Sequence, residues 1–362
     1  SSSPFRPFTS VQESGLILST LGNDELTYEK KTEFNLGIDL GFLENRINVA
    51  MDVYTRDNHD LIGTTRTQGV GGEIAKFANI ASMKSHGFEL SVSSNNIKTK
   101  DFSWNTDFIY SIYKNEVTDL NAIATTMDYV SGTGFTMVGY PHRGLFSIPF
   151  AGLDSNGIPM FYNEKGEITS TDLSFQSSDD FSWLKYEGPT EPTFTGSLGN
   201  SFTYKNVHLN VFFTYSGGNV VRLDPVFSYR YSDLTATTRE FKNRWMVPGD
   251  ENRTNVPTIL SYRQYYENAE LRNAYSAYNY STERVAKGGF IRLKEISVAY
   301  DFPKKWLSAL KVSNVSLKLQ ATNLCLLYAD KKLNGQDPEF VNSGGVASPV
   351  PRQFTMTLRL GL

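Results

Sequence analysis

The chain has 362 residues, a net charge of −3 and a pI near 5.9, so it has no basic excess to neutralise a phosphate backbone, which argues against nucleic-acid binding. Mean hydropathy is −0.34 and no apolar run approaches the roughly 18 residues a membrane helix needs. Helical spans are excluded but strands are not, because a strand alternating between lipid and lumen averages to a polar composition.

The single cysteine, Cys325, leaves no intrachain disulfide framework and no Cys-based zinc cluster. Aromatics make up 13% of the chain, with 24 Phe and 20 Tyr, while long Leu/Ala-rich helical stretches are missing. Ser1-Ser2-Ser3-Pro4 has neither the charged nor the apolar region of a signal peptide, so an exported form is expected to begin further upstream.

The dominant period is two. Phe34, Leu36, Ile38, Leu40 and Phe42 alternate with Asn35, Gly37, Asp39 and Gly41. Ile47, Val49, Met51 and Val53 alternate with Asn48, Ala50, Asp52 and Tyr54, and Phe88, Leu90 and Val92 with Gly87, Glu89, Ser91 and Ser93. The pattern recurs over Phe102–Ile112, Phe194–Tyr204, Val207–Tyr215, Ile296–Phe302, Val315–Ala321 and Phe354–Leu362. These alternations predict nine β-strands.

The connections alternate in length. Short ones fall at Leu43-Glu44, Asn95–Lys100, Lys205-Asn206 and Pro303–Lys311. Long ones run over Asn58–Ala75, Thr118–Glu191, Leu223–Ala286 and Ala329–Pro351. Outer-membrane barrels have short periplasmic turns and long extracellular loops. A soluble sandwich has no reason to put every long loop at one end.

Half-apolar strands also build soluble sandwiches and lipocalin-like barrels, whose greasy face points inward. Lipid on the outside is favoured because the other face is almost wholly polar. Aromatics near strand ends (Phe42, Tyr54, Trp104, Tyr204, Tyr215 and Tyr300) also suit an interfacial girdle. Asp39, Asp52, Glu89 and Arg359 are then expected to face a wet lumen. With short turns in the periplasm, the first strand enters from outside, which implies further wall strands; the edge before Lys31 must find a partner in lipid.

No catalytic constellation is legible. His59, His86, His142 and His208 lack ligand spacing, and no G-x-S-x-G elbow occurs. Gly69-Val70-Gly71-Gly72 lacks the lysine of a phosphate loop and reads as a loop. Asp154-Ser155-Asn156-Gly157 reads as an Asn-Gly turn, since Glu164 and Glu167 fall at the wrong offset for a calcium loop. No cofactor, metal site or enzymatic activity is expected.

Aromatic side chains crowd the long loops. Tyr262, Tyr265, Tyr266, Tyr275, Tyr278 and Tyr280 lie in one, and Tyr129, Phe135, Tyr140 and Phe161 in another. Flat rings with a polar handle suit sugars, peptides or a protein surface. Tyr140, Phe161, Tyr262, Tyr265, Tyr266, Tyr275 and Tyr278 are therefore the candidates for contact with a ligand or a partner lipoprotein.

Several segments resemble one family. "LGNDELTYEKKTEFNLGIDLGFLENRINVAMDVYTRDNHDLI" is similar to the GNPxLKWE–strand–hairpin–DxYxRxxxDLL signature of SusC/RagA-type TonB-dependent outer-membrane transporters of Bacteroidetes. "FANIASMKSHGFELSVSSNNIKTKDFSWNTDFIYSIYKNEVTDL" resembles that family's N-x-G-x-x-x-x-G-x-E-L strand pair, departing at Ala81 where the family usually has Gly. "FAGLDSNGIPMFYNEKG", "GPTEPTFTGSLGNSFTYKNVHLNVFFTYSGGN", "GGFIRLKEISVAYDFP" and "LQATNLCLLYADKKLNGQDPE" continue the series, so matching blocks cover most of Asn23–Leu362. The family usually ends in Phe, and Leu362 departs from that.

The resemblance implies an all-β fold: a transmembrane antiparallel β-barrel, with this chain as the C-terminal nine or ten strands of about 22. Residues 1–30 would be an incoming extracellular segment and 31–362 barrel wall, with the plug absent. It also implies import of glycans or peptides under a SusD-like lipoprotein, with TonB-ExbB-ExbD acting through the missing plug, in the bacterial outer membrane. The competing readings are a soluble β-rich carbohydrate-binding protein and an outer-membrane barrel hydrolase.

Overall fold

The structure is a computed structural model that describes residues 2–5, 13–16, 23–67, 75–176, 180–226, 238–307, 312–341 and 350–361. Gly69-Val70-Gly71-Gly72 and Leu362 lie outside the described residues. One nine-stranded antiparallel sheet dominates, and its strands follow one another in chain order. They are β1 (Lys30–Phe42), β2 (Ile47–Arg66), β3 (Ala75–Lys98), β4 (Phe102–Leu120), β5 (Phe194–Tyr204), β6 (Val207–Gly217), β7 (Phe290–Asp301), β8 (Asn314–Ala329) and β9 (Gln353–Gly361). Each stretch of alternation in the sequence falls on one of them.

The register turns the separate alternations into a single surface. Leu36 lies opposite Val53, Val53 opposite Phe88, Phe88 opposite Ile112 and Ile112 opposite Phe194. A second row runs Trp104, Phe202, Leu209, Val298, Leu319, Met356. Because side chains alternate faces with period two, one side of the sheet is largely apolar from β1 to β9. The opposite side holds Gly37, Asp52, Glu89, Ser111 and Thr195 in one row and Thr203, His208, Ala299, Lys318 and Thr357 in another. Asp39 and Arg359 share this polar face, which Ile109 and Phe212 interrupt.

No described element packs against the apolar face to make a dry core. Ile38, Val53, Val298, Leu319, Met356 and Leu358 are all exposed. The buried apolar clusters lie wholly in the long connections, around Tyr129, Phe146, Phe161 and Tyr278 and around Val221, Ala286 and Leu333. A soluble sandwich would reverse this, hiding the strand side chains. The sheet is a stretch of transmembrane β-barrel wall with its greasy face toward lipid.

Interfacial aromatics mark both ends of that face. At the short-turn end, Trp104 stacks on Phe202 with centroids 5.7 Å apart, and Tyr300, Phe302 and Trp306 form a chain of ring contacts. At the loop end, Tyr215 stacks on Phe108 at 6.4 Å and lies across Gly196, donating its hydroxyl to the Ile109 carbonyl at 2.9 Å. A Cβ at Gly196 would run into both the tyrosine and that carbonyl, so the joint needs glycine.

Tyr54 corrects the expected girdle. It belongs to the polar face, is 7% exposed and lies over Gly87, with the Arg56 guanidinium 4.1 Å above its ring. It sits mid-strand because β2 continues to Arg66 and its partner β3 spans 24 residues. At about 3.3 Å per residue that is roughly 80 Å, far beyond an apolar band about 25 Å tall. The upper halves of β2, β3 and β4 therefore rise above the membrane, where the sequence had suggested loop from Asn58 onward.

Candidate functional site

The residues between β4 and β5, between β6 and β7 and between β8 and β9 form a cap at one end of the sheet. Its elements are short because the chain there is dense in Gly, Pro, Asn and Asp. Strand Gly144–Ser147 pairs with Lys185–Pro189, Phe150–Leu153 with Pro159–Tyr162, and Val220–Arg222 with Val285–Lys287. Asp154 closes a turn by accepting from the amides of Asn156 and Ile158, both at 2.8 Å, and Gly157 adopts φ +76° beneath the Trp245 ring.

Three helices complete the cap. Helix α1 (Thr126–Val130) starts with a capping box from Thr125 and Asp128. Helix α2 (Tyr262–Glu267) starts with one from Ser261 and Gln264, and in α3 (Ala269–Asn279) the Asn268 side chain accepts from the amides of Glu270 and Leu271.

Aromatic packing and buried arginines tie these pieces together. Tyr129 meets Phe135, Phe146 and Phe181 with centroids 4.5–5.4 Å away, and Phe150 meets Phe161 and Tyr278 at 5.9 and 5.8 Å. Arg222 is buried and donates to the Ser147 hydroxyl and to the carbonyls of Ser281, Val130 and Phe146 at 2.7–3.2 Å. Its hydrogen-bond partners are neutral, and burial pulls its pKa down to about 10. Arg284 pairs with Glu240, and Arg292 of β7 pairs with Asp337 and Glu339. Burial likewise pushes the phenols of Tyr275 and Tyr278 well above their ordinary value and Tyr186 up to about 12.

Beneath the cap, on the polar face, lies a cavity of about 520 Å³ lined by Thr190, Thr195, Thr214, Ser216, Lys294 and Glu339 among others. Pro192, Tyr215, Val221, Phe290 and Pro338 also line it, so hydroxyls and Lys294 stand among apolar walls, and Glu339 is paired with Arg292. Among the described residues no cluster of three or more His, Cys, Asp or Glu could hold a metal ion.

A wall that is greasy outside and wet inside, capped at one end by packed loops, matches known proteins. The chain is 26% identical over 353 residues to TonB-dependent receptor P3 of Formosa agariphila, covering 91% of this chain and 32% of that protein. It is 28% identical over 372 residues to TonB-dependent receptor SusC of Bacteroides thetaiotaomicron, covering 94% of this chain and 32% of that protein. Among solved structures it is similar to the RagAB peptide transporter, with a TM-score of 0.75 at 21% identity, covering 99% of this chain and 38% of that one. The chain is similar in sequence to TonB-dependent receptors of the SusC type and shares the barrel-wall fold of RagAB. No protein-family model matches it. The SusC-like segment spans about a third of the length of the curated relatives it matches.

The SusC-like segment separates the aromatic residues singled out from its sequence into two groups. Phe161, Tyr275 and Tyr278 are 0%, 6% and 2% exposed, so they are core of the cap and have no surface to offer a ligand. Tyr140 packs edge-on to Phe146 and tilted against Tyr186, 4.8 Å away, at the margin of that core. Tyr262 and Tyr266 are exposed, with centroids 4.3 Å apart, and Tyr265 meets Tyr266 at 5.4 Å. Sequence reasoning missed the buried arginines. A charged residue inside an apolar stretch, as in Asn219-Val220-Val221-Arg222-Leu223, was the available signal.

Proposed function

We propose that the segment forms lumen wall and extracellular cap of a transporter that imports nutrient oligomers, glycans or peptides, together with a SusD-like surface lipoprotein. The observation that carries this reading is the largely apolar face running across nine strands, with Ser94, Thr106 and Asn200 as polar members of one row, opposite a polar face. Both edge strands, β1 and β9, have one neighbour each, so further wall strands are expected to close the barrel. Coupling to TonB-ExbB-ExbD would run through a plug outside this sequence.

The hydroxyl-lined cavity under the cap is the proposed contact for the passing oligomer. The cluster of exposed Tyr262 and Tyr266 with half-buried Tyr265 is the proposed contact for the lipoprotein, since aromatic side chains are typical interface anchors. RagAB is a peptide transporter, which supports testing peptides first. The test is uptake of labelled peptide and oligosaccharide mixtures by cells carrying or lacking the full-length protein. Loss of uptake of one class on deletion is expected. Unchanged uptake of both, with the lipoprotein failing to co-purify, would refute the proposal.

A further inference from the structure

We propose that the lipid-facing side of the wall carries a specific site for a phosphorylated membrane lipid at the outer rim of β5–β8. The proposal rests on the membrane orientation argued above. A groove of about 500 Å³ opens on the apolar face where these strands meet the cap. Its walls are Phe194, Tyr215, Ile291 and Tyr328, all on the lipid-facing side by register.

The depression has a structural cause. Gly217, Gly218 and Gly289 line it and supply no side chains to fill it. The register between β7 and β8 shifts between Ile291 and Arg292, so Leu327 is extra in β8, and both Leu327 and Tyr328 are exposed.

The rim supplies charge. Lys287 lines the groove, and the one-turn helix Lys331–Leu333 packs against the strand Val285–Lys287. Asp330 holds them together by accepting the backbone N–H of Lys287 at 2.8 Å and of Lys332 at 2.9 Å. Lys287, Lys331 and Lys332 are exposed, and none has a carboxylate oxygen within 4.0 Å among the described residues.

An apolar slot with Lys287 in its lining, and Lys331 and Lys332 on the adjoining helical turn, fits an acyl chain below and a phosphate above. The groove is continuous with the lipid-facing surface, so its occupant comes from the membrane. The groove adjoins the lumen cavity, with Tyr215, Ser216, Asn219 and Phe290 in both linings, but Lys287, Ile291 and Tyr328 line the groove and not that cavity.

Native mass spectrometry of the full-length protein in detergent tests this, using phosphatidic acid, diacylglycerol and inorganic phosphate as probes. The expected result is retention of phosphatidic acid over diacylglycerol, lowered roughly tenfold or more in K287A/K331A/K332A. It should also fall in I291W, which fills the slot without touching the lysines. Each variant is first checked for an unchanged heat-dependent mobility shift on gels. Equal retention of the two lipids, retention unchanged in both variants, or full competition by inorganic phosphate would overturn the site. Failed uptake with intact lipid retention would count against the transport reading alone.

Discussion

The guanidinium of Arg292, on the polar face of β7, meets both carboxylate oxygens of Asp337 at 2.6 Å, with the two side chains 6% and 7% exposed. Glu339 approaches the same guanidinium at 2.7 Å. One wall residue thus fixes the connection between β8 and β9 and sets Glu339 at the edge of the lumen cavity.

Removing Asp337 leaves Glu339 as the carboxylate partner of Arg292, so the loss should fall below the roughly 3–5 kcal/mol of a fully stranded buried charge. Asp337→Ala is expected to make residues 330–341 cleavable by protease while the wall keeps its heat-dependent gel mobility. Cleavage no faster than in the wild type would show that the pair does not hold the loop.

Alkaline pH should loosen the cap. Tyr186, Tyr275 and Tyr278 have folded-state pKa values above their ordinary value near 10, because burial penalises the phenolate. The folded state therefore binds more protons than the unfolded one above pH 10. The stability these phenols contribute is complete below that pH and is lost as pH climbs through their folded values. Arg222 acts with the opposite sign, since its lowered pKa of about 10 makes the unfolded state the stronger proton binder from about pH 10 up to the ordinary guanidinium value. Three phenols outweigh one guanidinium, so the buried phenols should add a late, cooperative rise in phenolate absorbance, after that of the exposed tyrosines and coincident with loss of cap structure. A gradual rise starting below pH 10 for all tyrosines would contradict the burial.

Gly196→Ala is expected to destabilise the wall more than Tyr215→Phe. The phenylalanine removes only the hydroxyl-to-carbonyl bond, about 1 kcal/mol. The alanine collides with the Tyr215 ring and the Ile109 backbone, so a strand or the ring must move. Urea unfolding of the reconstituted full-length protein ranks the two variants.

Surface and core tyrosines should behave differently. Tyr262→Ala with Tyr266→Ala is expected to leave the protein's stability within about 0.5 kcal/mol and to reduce co-purification of the lipoprotein. Tyr278→Ala should cost about 3–5 kcal/mol in the cap, because a large ring at 2% exposure leaves a cavity. Undiminished lipoprotein recovery in the double variant would remove the tyrosine cluster from the interface.

The wall was legible in the sequence because its strands pair edge to edge and leave both faces open, so period two recurs from Phe34 to Leu360 with a few register shifts. The extension of β2 and β3 was not, because above Tyr54 and Phe88 no lipid enforces the alternation and Lys84, Ser85 and His86 run together. The cap was legible only as loop. Arg222 binds carbonyls 59 to 92 residues away, and backbone acceptors have no sequence signature. For the same reason the aromatic count could not separate Tyr278 from Tyr262; only the packing of α3 against the core does so.

The orientation of the wall is tested most directly by nitroxide labels on single cysteines in a C325S background of the full-length protein, reconstituted in liposomes. Val298 and Leu319 face one way and their chain neighbours Ala299 and Lys318 the other. Labels at 298 and 319 should be relaxed by oxygen, which concentrates in lipid, and those at 299 and 318 by a water-soluble nickel complex. Labels at 298 and 319 that respond to nickel and are shielded from oxygen would contradict a greasy face turned to the membrane.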